Sequence, residues 1–136
     1  MANQKIEEIE GIGPVMGEKF RGADVKDTDT LLEKGCTKAG RQALADATGL
    51  STSQILKFVN MADLFRIKGV AGEYAELLEC SGVDTVKELA TRNAENLAAK
   101  LVEVNTEKKL TRKVPTGDQV ADWIKQAGSL PAKVTH

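Results

Sequence analysis

The chain carries one pattern twice. Ile9-Glu-Gly-Ile aligns with Ile67-Lys-Gly-Val at a separation of 58 residues, and the same separation pairs Glu18 with Glu76, Val25 with Val83 and Leu31 with Leu89. Near the end of each copy the separation becomes 65. Ser51-Thr-Ser-Gln54-Ile55 then matches Thr116-Gly-Asp-Gln119-Val120, with Phe58 on Trp123, Val59 on Ile124 and Ala62 on Ala127. With Leu44 against Leu97 as the pivot, the second copy loses about five residues and gains about twelve, essentially Asn105 to Pro115. A repeat of this length is one supersecondary unit that needs a neighbour to bury its apolar face. The 136 residues therefore divide into a first copy, 1–64, and a second, 65–128, with a basic insertion at 105–115. The remainder, 129–136 (SLPAKVTH), reads as a flexible, frayed tail.

Each copy reads as roughly four short helices, so the expected fold is all-α. Pro14 suits the first position of a helix, where its missing N–H costs nothing, and Gly22 ends that helix. Asp27 or Thr28 caps a short helix through Leu31-Leu32 that stops at Gly35, and Thr37 caps another that stops at Gly49. Ser51 with Gln54 forms a capping box, and the helix it opens puts Ile55, Phe58, Val59 and Ala62 on one core-facing stripe. In the second copy Gly82 is the stop, Asp84 and Asn93 are the caps, and Thr116 with Gln119 is the second capping box. Apart from Val102-Glu-Val104, β-branched residues do not alternate, so no sheet is expected.

Composition removes several classes. A chain of this size buries about two thirds of its unfolded surface, so it needs no disulfide or metal to fold. Cys36 and Cys80 lie far apart with no CxxC spacing, which argues against a zinc site or a disulfide framework. The longest apolar runs are too short for a membrane span. The opening MANQKIEEIE has no apolar stretch or cleavage site, so the expected compartment is the cytoplasm. The one histidine is His136, which leaves histidine-based catalysis without a base.

Ile9-Glu10-Gly11-Ile12-Gly13-Pro14-Val15-Met16-Gly17-Glu18-Lys19-Phe20 is the most informative stretch. An apolar residue, Gly-x-Gly, and then small and apolar residues at helical spacing describe a sharp glycine turn joining two closely packed helices. In these residues the chain resembles the helix-hairpin-helix family. Over most of its length it is similar to the uncharacterised family catalogued as domain of unknown function 4332. The helix-hairpin-helix resemblance implies sequence-independent binding of duplex DNA, with the hairpin N–H groups and the following helix N-terminus meeting a phosphate. Carried onto this chain, the phosphate site is the backbone of Gly11, Ile12 and Gly13, with Lys19 or Arg21 as its cation. Some members of that family hold a monovalent cation on hairpin carbonyls; no other cofactor and no metal site is expected. The chain departs from the family in placing Val15 and Met16 where DNA-gripping members carry a cation. Its second hairpin, Ile67-Lys-Gly69-Val-Ala71-Gly72, is degenerate and is followed by Glu73, Glu76 and Glu79.

Charge is unevenly spread. Residues 1–35 hold five basic and eight acidic side chains, net −3, whereas residues 105–136 hold six and three, net +3. Lys108, Lys109, Arg112 and Lys113 all fall in the insertion, as a flexible loop able to supply phosphate contacts that the hairpin lacks. A solvated loop that keeps an insertion soluble has the same composition. Trp123 matches Phe58 on the core stripe and so belongs to the core, which leaves Tyr74 as the aromatic available for a surface role. The acid pairs Glu7/Glu10 and Glu73/Glu76 read as surface charge, and Cys36 has no histidine partner, so no catalysis is expected. Two functions follow: a duplex DNA backbone binder using Lys19, Arg21 and the basic loop, or a protein-interaction scaffold in which the hairpins only arrange helices. DNA binding requires Lys19 and the basic loop on one face; a scaffold requires an exposed apolar patch.

Overall fold

In the computed structural model, which describes residues 3–135, the chain folds into eight α-helices with no strand among the described residues. After a 3-10 turn at Ile6–Glu8 come α1 (Pro14–Gly22), α2 (Thr28–Gly35), α3 (Lys38–Thr48), α4 (Thr52–Leu64), α5 (Gly72–Cys80), α6 (Val86–Ala90), α7 (Ala94–Lys108) and α8 (Gly117–Ser129). Val102-Glu-Val104 is helical, inside α7.

The local signals place most of these ends. Asp27 rather than Thr28 caps α2, accepting from the Thr30 N–H, while Thr28 is buried and accepts from the Gln4 N–H at 3.1 Å. Thr37 and Asn93 cap α3 and α7, and both capping boxes form, at Ser51/Gln54 and Thr116/Gln119. One cap shifts: the N-cap of α6 is Thr85, not Asp84, with its hydroxyl accepting from the Glu88 N–H at 3.2 Å.

The two halves reuse the same local geometry at the separations seen in the sequence. α1 and α5 both have nine residues and start 58 apart, and α4 and α8 both have thirteen and start 65 apart. After α1 the Val25 N–H reaches back to the Phe20 carbonyl at 2.8 Å, and after α5 the Val83 N–H reaches Leu78 at 2.9 Å. The halves differ where the lengths differ. α6 has five residues against eight in α2, and α7 has fifteen against eleven in α3. The insertion is therefore not all loop, because Asn105 to Lys108 form the last turn of α7.

α4 is the central helix. Ile55, Phe58 and Val59 through Leu64 are all buried, against α2 and α3 on one side and α5 on another. α8 serves the second half, with Val120, Trp123 and Ala127 buried against α6 and α7. Burial on several faces explains why Asn60 and Asp63, polar residues of α4 outside that stripe, lie inside the molecule.

Residues 130–135 correct the expectation of a frayed tail. They run back over the first half, where Pro131 and Thr135 carbonyls accept from the buried Arg66 and Arg41. His136 lies outside the described residues.

Candidate phosphate-binding hairpins

Gly11 and Gly69 open the two hairpins, each at φ +94°, a left-handed conformation that L side chains rarely adopt. Each turn is also seated on an aromatic ring from the last helix of its half. A Cβ at Gly11 would lie 3.3 Å from Phe58 Cε1, and one at Gly69 would lie 3.1 Å from Trp123 Nε1. Ile12 is buried and its N–H closes the turn onto the Ile9 carbonyl at 3.0 Å. Gly13 then caps α1 in an extended conformation with no side-chain acceptor. Gly11 and Gly13 are exposed, and neither backbone N–H has a hydrogen-bond partner among the described residues. Val15, in the first turn, is 73% exposed.

The cations expected at this hairpin do not converge on it. Lys19 and Arg21, two residues apart on α1, point roughly 160° away from each other around a helix of 3.6 residues per turn. Arg21 is paired with Glu7, and the hydrogen bond from its guanidinium holds the Glu7 carboxyl below the ordinary carboxylate range. Gly17 makes room for that pair, since a Cβ there would lie 2.6 Å from Glu7 Oε2. Lys19 is exposed and makes no ion pair among the described residues.

The basic loop is ordered by two anchors. Lys109 ends α7 at φ 53°, and the Asn105 side chain both donates to the Thr111 carbonyl and accepts from the Thr111 N–H, each at 3.0 Å. Tyr74 then donates its hydroxyl to the Lys113 carbonyl at 3.0 Å. Because Tyr74 belongs to α5, the loop is brought to the second hairpin. Arg112 and Lys113 line a cleft of about 530 Å³ with Ala71, Gly72 and Glu73 at the start of α5, and with Glu8 and Glu10 from the approach to the first hairpin. Lys108, at the far end of the loop, lies near Cys80.

The two halves meet at this cleft. Gly72 packs so tightly that a Cβ there would be 2.5 Å from the Glu8 carbonyl oxygen. Glu10 is partly desolvated here and faces Glu76, Glu73 and Glu8, and burial followed by that repulsion raises its pKa. Burial and then the charge of Glu79 push the Cys80 thiol up, so it is a poorer nucleophile than an ordinary cysteine. No group of three or more His, Cys, Asp or Glu side chains among the described residues could hold a metal ion. No helix there is long and apolar enough to cross a membrane.

Sequence reasoning missed the buried pair Asp63–Arg66, whose Oδ1–Nη1 distance is 2.8 Å. A signal was present: both charges sit in the otherwise apolar run Met61-Ala-Asp-Leu-Phe-Arg-Ile67, three residues apart on one helical face.

A family model, the domain of unknown function DUF4332, matches residues 10–130. The chain belongs to this family. The match spans both hairpins, the central helix α4 and the basic insertion. No curated protein and no solved structure matches the chain.

Proposed function

We propose that this DUF4332 protein is a non-enzymatic binding module of the helix-hairpin-helix kind, working in the cytoplasm and holding the backbone of duplex DNA without reading its sequence. One observation carries the reading. Six of the eight α-helices have a side chain capping their N-terminus, and the two without one are α1 and α5, the helices that follow the hairpin turns. Free N–H groups at a helix start, with the positive end of its dipole, form an anion site. In the first hairpin Gly13 caps α1 with no side-chain acceptor at the helix start. In the second, Arg112 and Lys113 flank the start of α5 as the cations available to a phosphate, in a cleft they share with Glu8, Glu10 and Glu73. The cationic half of the site thus belongs to the second hairpin, and Lys19 stays exposed on α1 with no partner among the described residues at the first.

The second reading is a protein-interaction module. It is favoured by the exposure of Val15 and by the carboxylates that share the cleft with Arg112 and Lys113.

Fluorescence anisotropy of a labelled duplex, titrated over a salt series, separates the two. Phosphate binding by two to four cations gives a log–log slope of about −2 to −4. Neutralising Lys108, Lys109, Arg112 and Lys113 together then removes most of that slope. An absence of binding at low salt rejects the DNA reading.

A further inference from the structure

Residues 130–135 form an extended strap that leaves the second half at the end of α8 and is gripped by the first. Its polar anchors are mostly main chain. Arg66 Nη2 donates to the Pro131 carbonyl at 2.7 Å, Arg41 Nη2 to the Thr135 carbonyl at 2.6 Å, and the Thr135 N–H to the Cys36 carbonyl at 2.8 Å. Leu130 and Val134 pack half-buried against the core. Both arginines are buried, and each is committed elsewhere through Nη1. Arg41 holds the Gly35 carbonyl at 2.9 Å, and Arg66 holds Asp63 Oδ1 at 2.8 Å. The other oxygen of Asp63 accepts the N–H of Val86, the first residue of α6, at 2.8 Å.

We propose that the strap is a conformational latch whose seating is relayed by Arg66 and Asp63 to the start of α6. A buried guanidinium that loses an acceptor carries the full cost of its desolvation. Lifting the strap strips the acceptors from Arg66 Nη2 and Arg41 Nη2 together. Arg66 recovers hydrogen bonds by turning toward water, which draws Nη1 away from Asp63. Asp63 then holds an unpaired buried charge and follows it, releasing the Val86 N–H. α6 is the element least able to survive that loss. It has five residues, barely more than one turn, and although Val86 and Leu89 are buried in the core, the side chains that accept from the N–H groups at its start are Thr85 and Asp63. Its counterpart α2 has eight residues and its own Asp27 cap, and no hydrogen bond among the described residues joins α1 to Asp63, Arg66 or the strap. The latch therefore acts on one helix of the second half and leaves the first hairpin unchanged.

Hydrogen exchange read segment by segment tests this in the full chain. The double variant Val134→Asp/Thr135→Pro removes the apolar anchor and the N–H bonded to Cys36, while Arg41, Arg66 and Asp63 stay in place. A chain ending at Ser129 removes the strap altogether and serves as the second variant. The expected result is exchange at least tenfold faster over Val86–Ala90 in either variant, with Pro14–Gly22 at the wild-type rate. Unchanged protection of α6 in the chain ending at Ser129 overturns the proposal. So does uniform acceleration across all helices in both variants, which is general loss of stability rather than a relay.

Discussion

Gly69 lies against the edge of the Trp123 indole, so that a Cβ on it would meet Nε1 at 3.1 Å. The contact ties the second hairpin to the last helix of its own half, as Gly11 and Phe58 do in the first. Gly69→Ala meets two obstacles, a backbone at φ +94° and a ring held in the core. Residues forced into sparsely populated backbone regions cost about 1–3 kcal/mol each. We expect a loss in that range in urea denaturation. Trp123 is the one tryptophan, so its emission should also shift in the folded state of the variant. Gly49→Ala is the control: φ is +77° but a Cβ there meets nothing within 4 Å, so it should lose only about 1–2 kcal/mol and leave the emission unchanged.

Asp63 and Arg66 join α4, the start of α6 and the strap through buried hydrogen bonds. Removing one partner of a buried pair typically costs about 3–5 kcal/mol, because the other charge is left unpaired. Arg66→Met should fall in that range by denaturant midpoint. The double replacement Asp63→Leu/Arg66→Met should lose less than the sum of the two single changes. Additive losses would mean that the two side chains act independently.

These contacts also mark where sequence legibility ended. Caps, glycine stops and the α4 stripe are local, decided within a few residues, and they were readable to within one position even at Thr85. The matched starts of α1 with α5 and of α4 with α8 were readable because the same local chemistry returns at fixed separations. Arg66 to Pro131, Tyr74 to Lys113 and Asp63 to Val86 span 65, 39 and 23 residues, and no periodicity encodes such pairings. The candidate site suffered most for this reason. The glycine turns were legible, but the pairing of Arg21 with Glu7 and the delivery of the basic loop to the second hairpin depend on tertiary packing. Within α1, helical spacing alone was enough to separate Lys19 from Arg21, yet the family resemblance assigns both to one phosphate site.

Glu10 should titrate above an ordinary glutamate, since burial comes first and then Glu76, Glu73 and Glu8 all oppose its charge. The sign follows from linkage. A carboxyl whose folded pKa lies above its unfolded value binds its proton more tightly in the folded state. Its favourable contribution is full below the unfolded value of about 4.5 and disappears as pH rises through the folded value. Glu10→Gln should therefore raise the melting temperature near pH 7, with the gain shrinking as pH falls through that window. Carbon-detected NMR titration of the side-chain carboxyl gives the pKa directly, and a midpoint at or below 4.5 would remove the basis for the effect.

Asn105 is the inner anchor of the basic loop, donating to and accepting from Thr111 at 3.0 Å. Asn105→Ala removes both bonds while keeping a good helix former in the last turn of α7. Two partly buried hydrogen bonds are worth about 1–3 kcal/mol together at most, so the protein should stay folded with a modest loss of stability. The loop itself should open, because Tyr74 to Lys113 then remains its main polar tether. Limited trypsin digestion reads this directly, since Lys108, Lys109, Arg112 and Lys113 are all exposed cleavage positions. We expect faster cutting within residues 108–113 at unchanged rates elsewhere. If phosphate contacts depend on an ordered loop, the same variant weakens duplex binding at every salt concentration without changing the slope, because no cation has been removed. A reduced slope would instead show that loosening the loop withdraws Arg112 and Lys113 from the contact altogether.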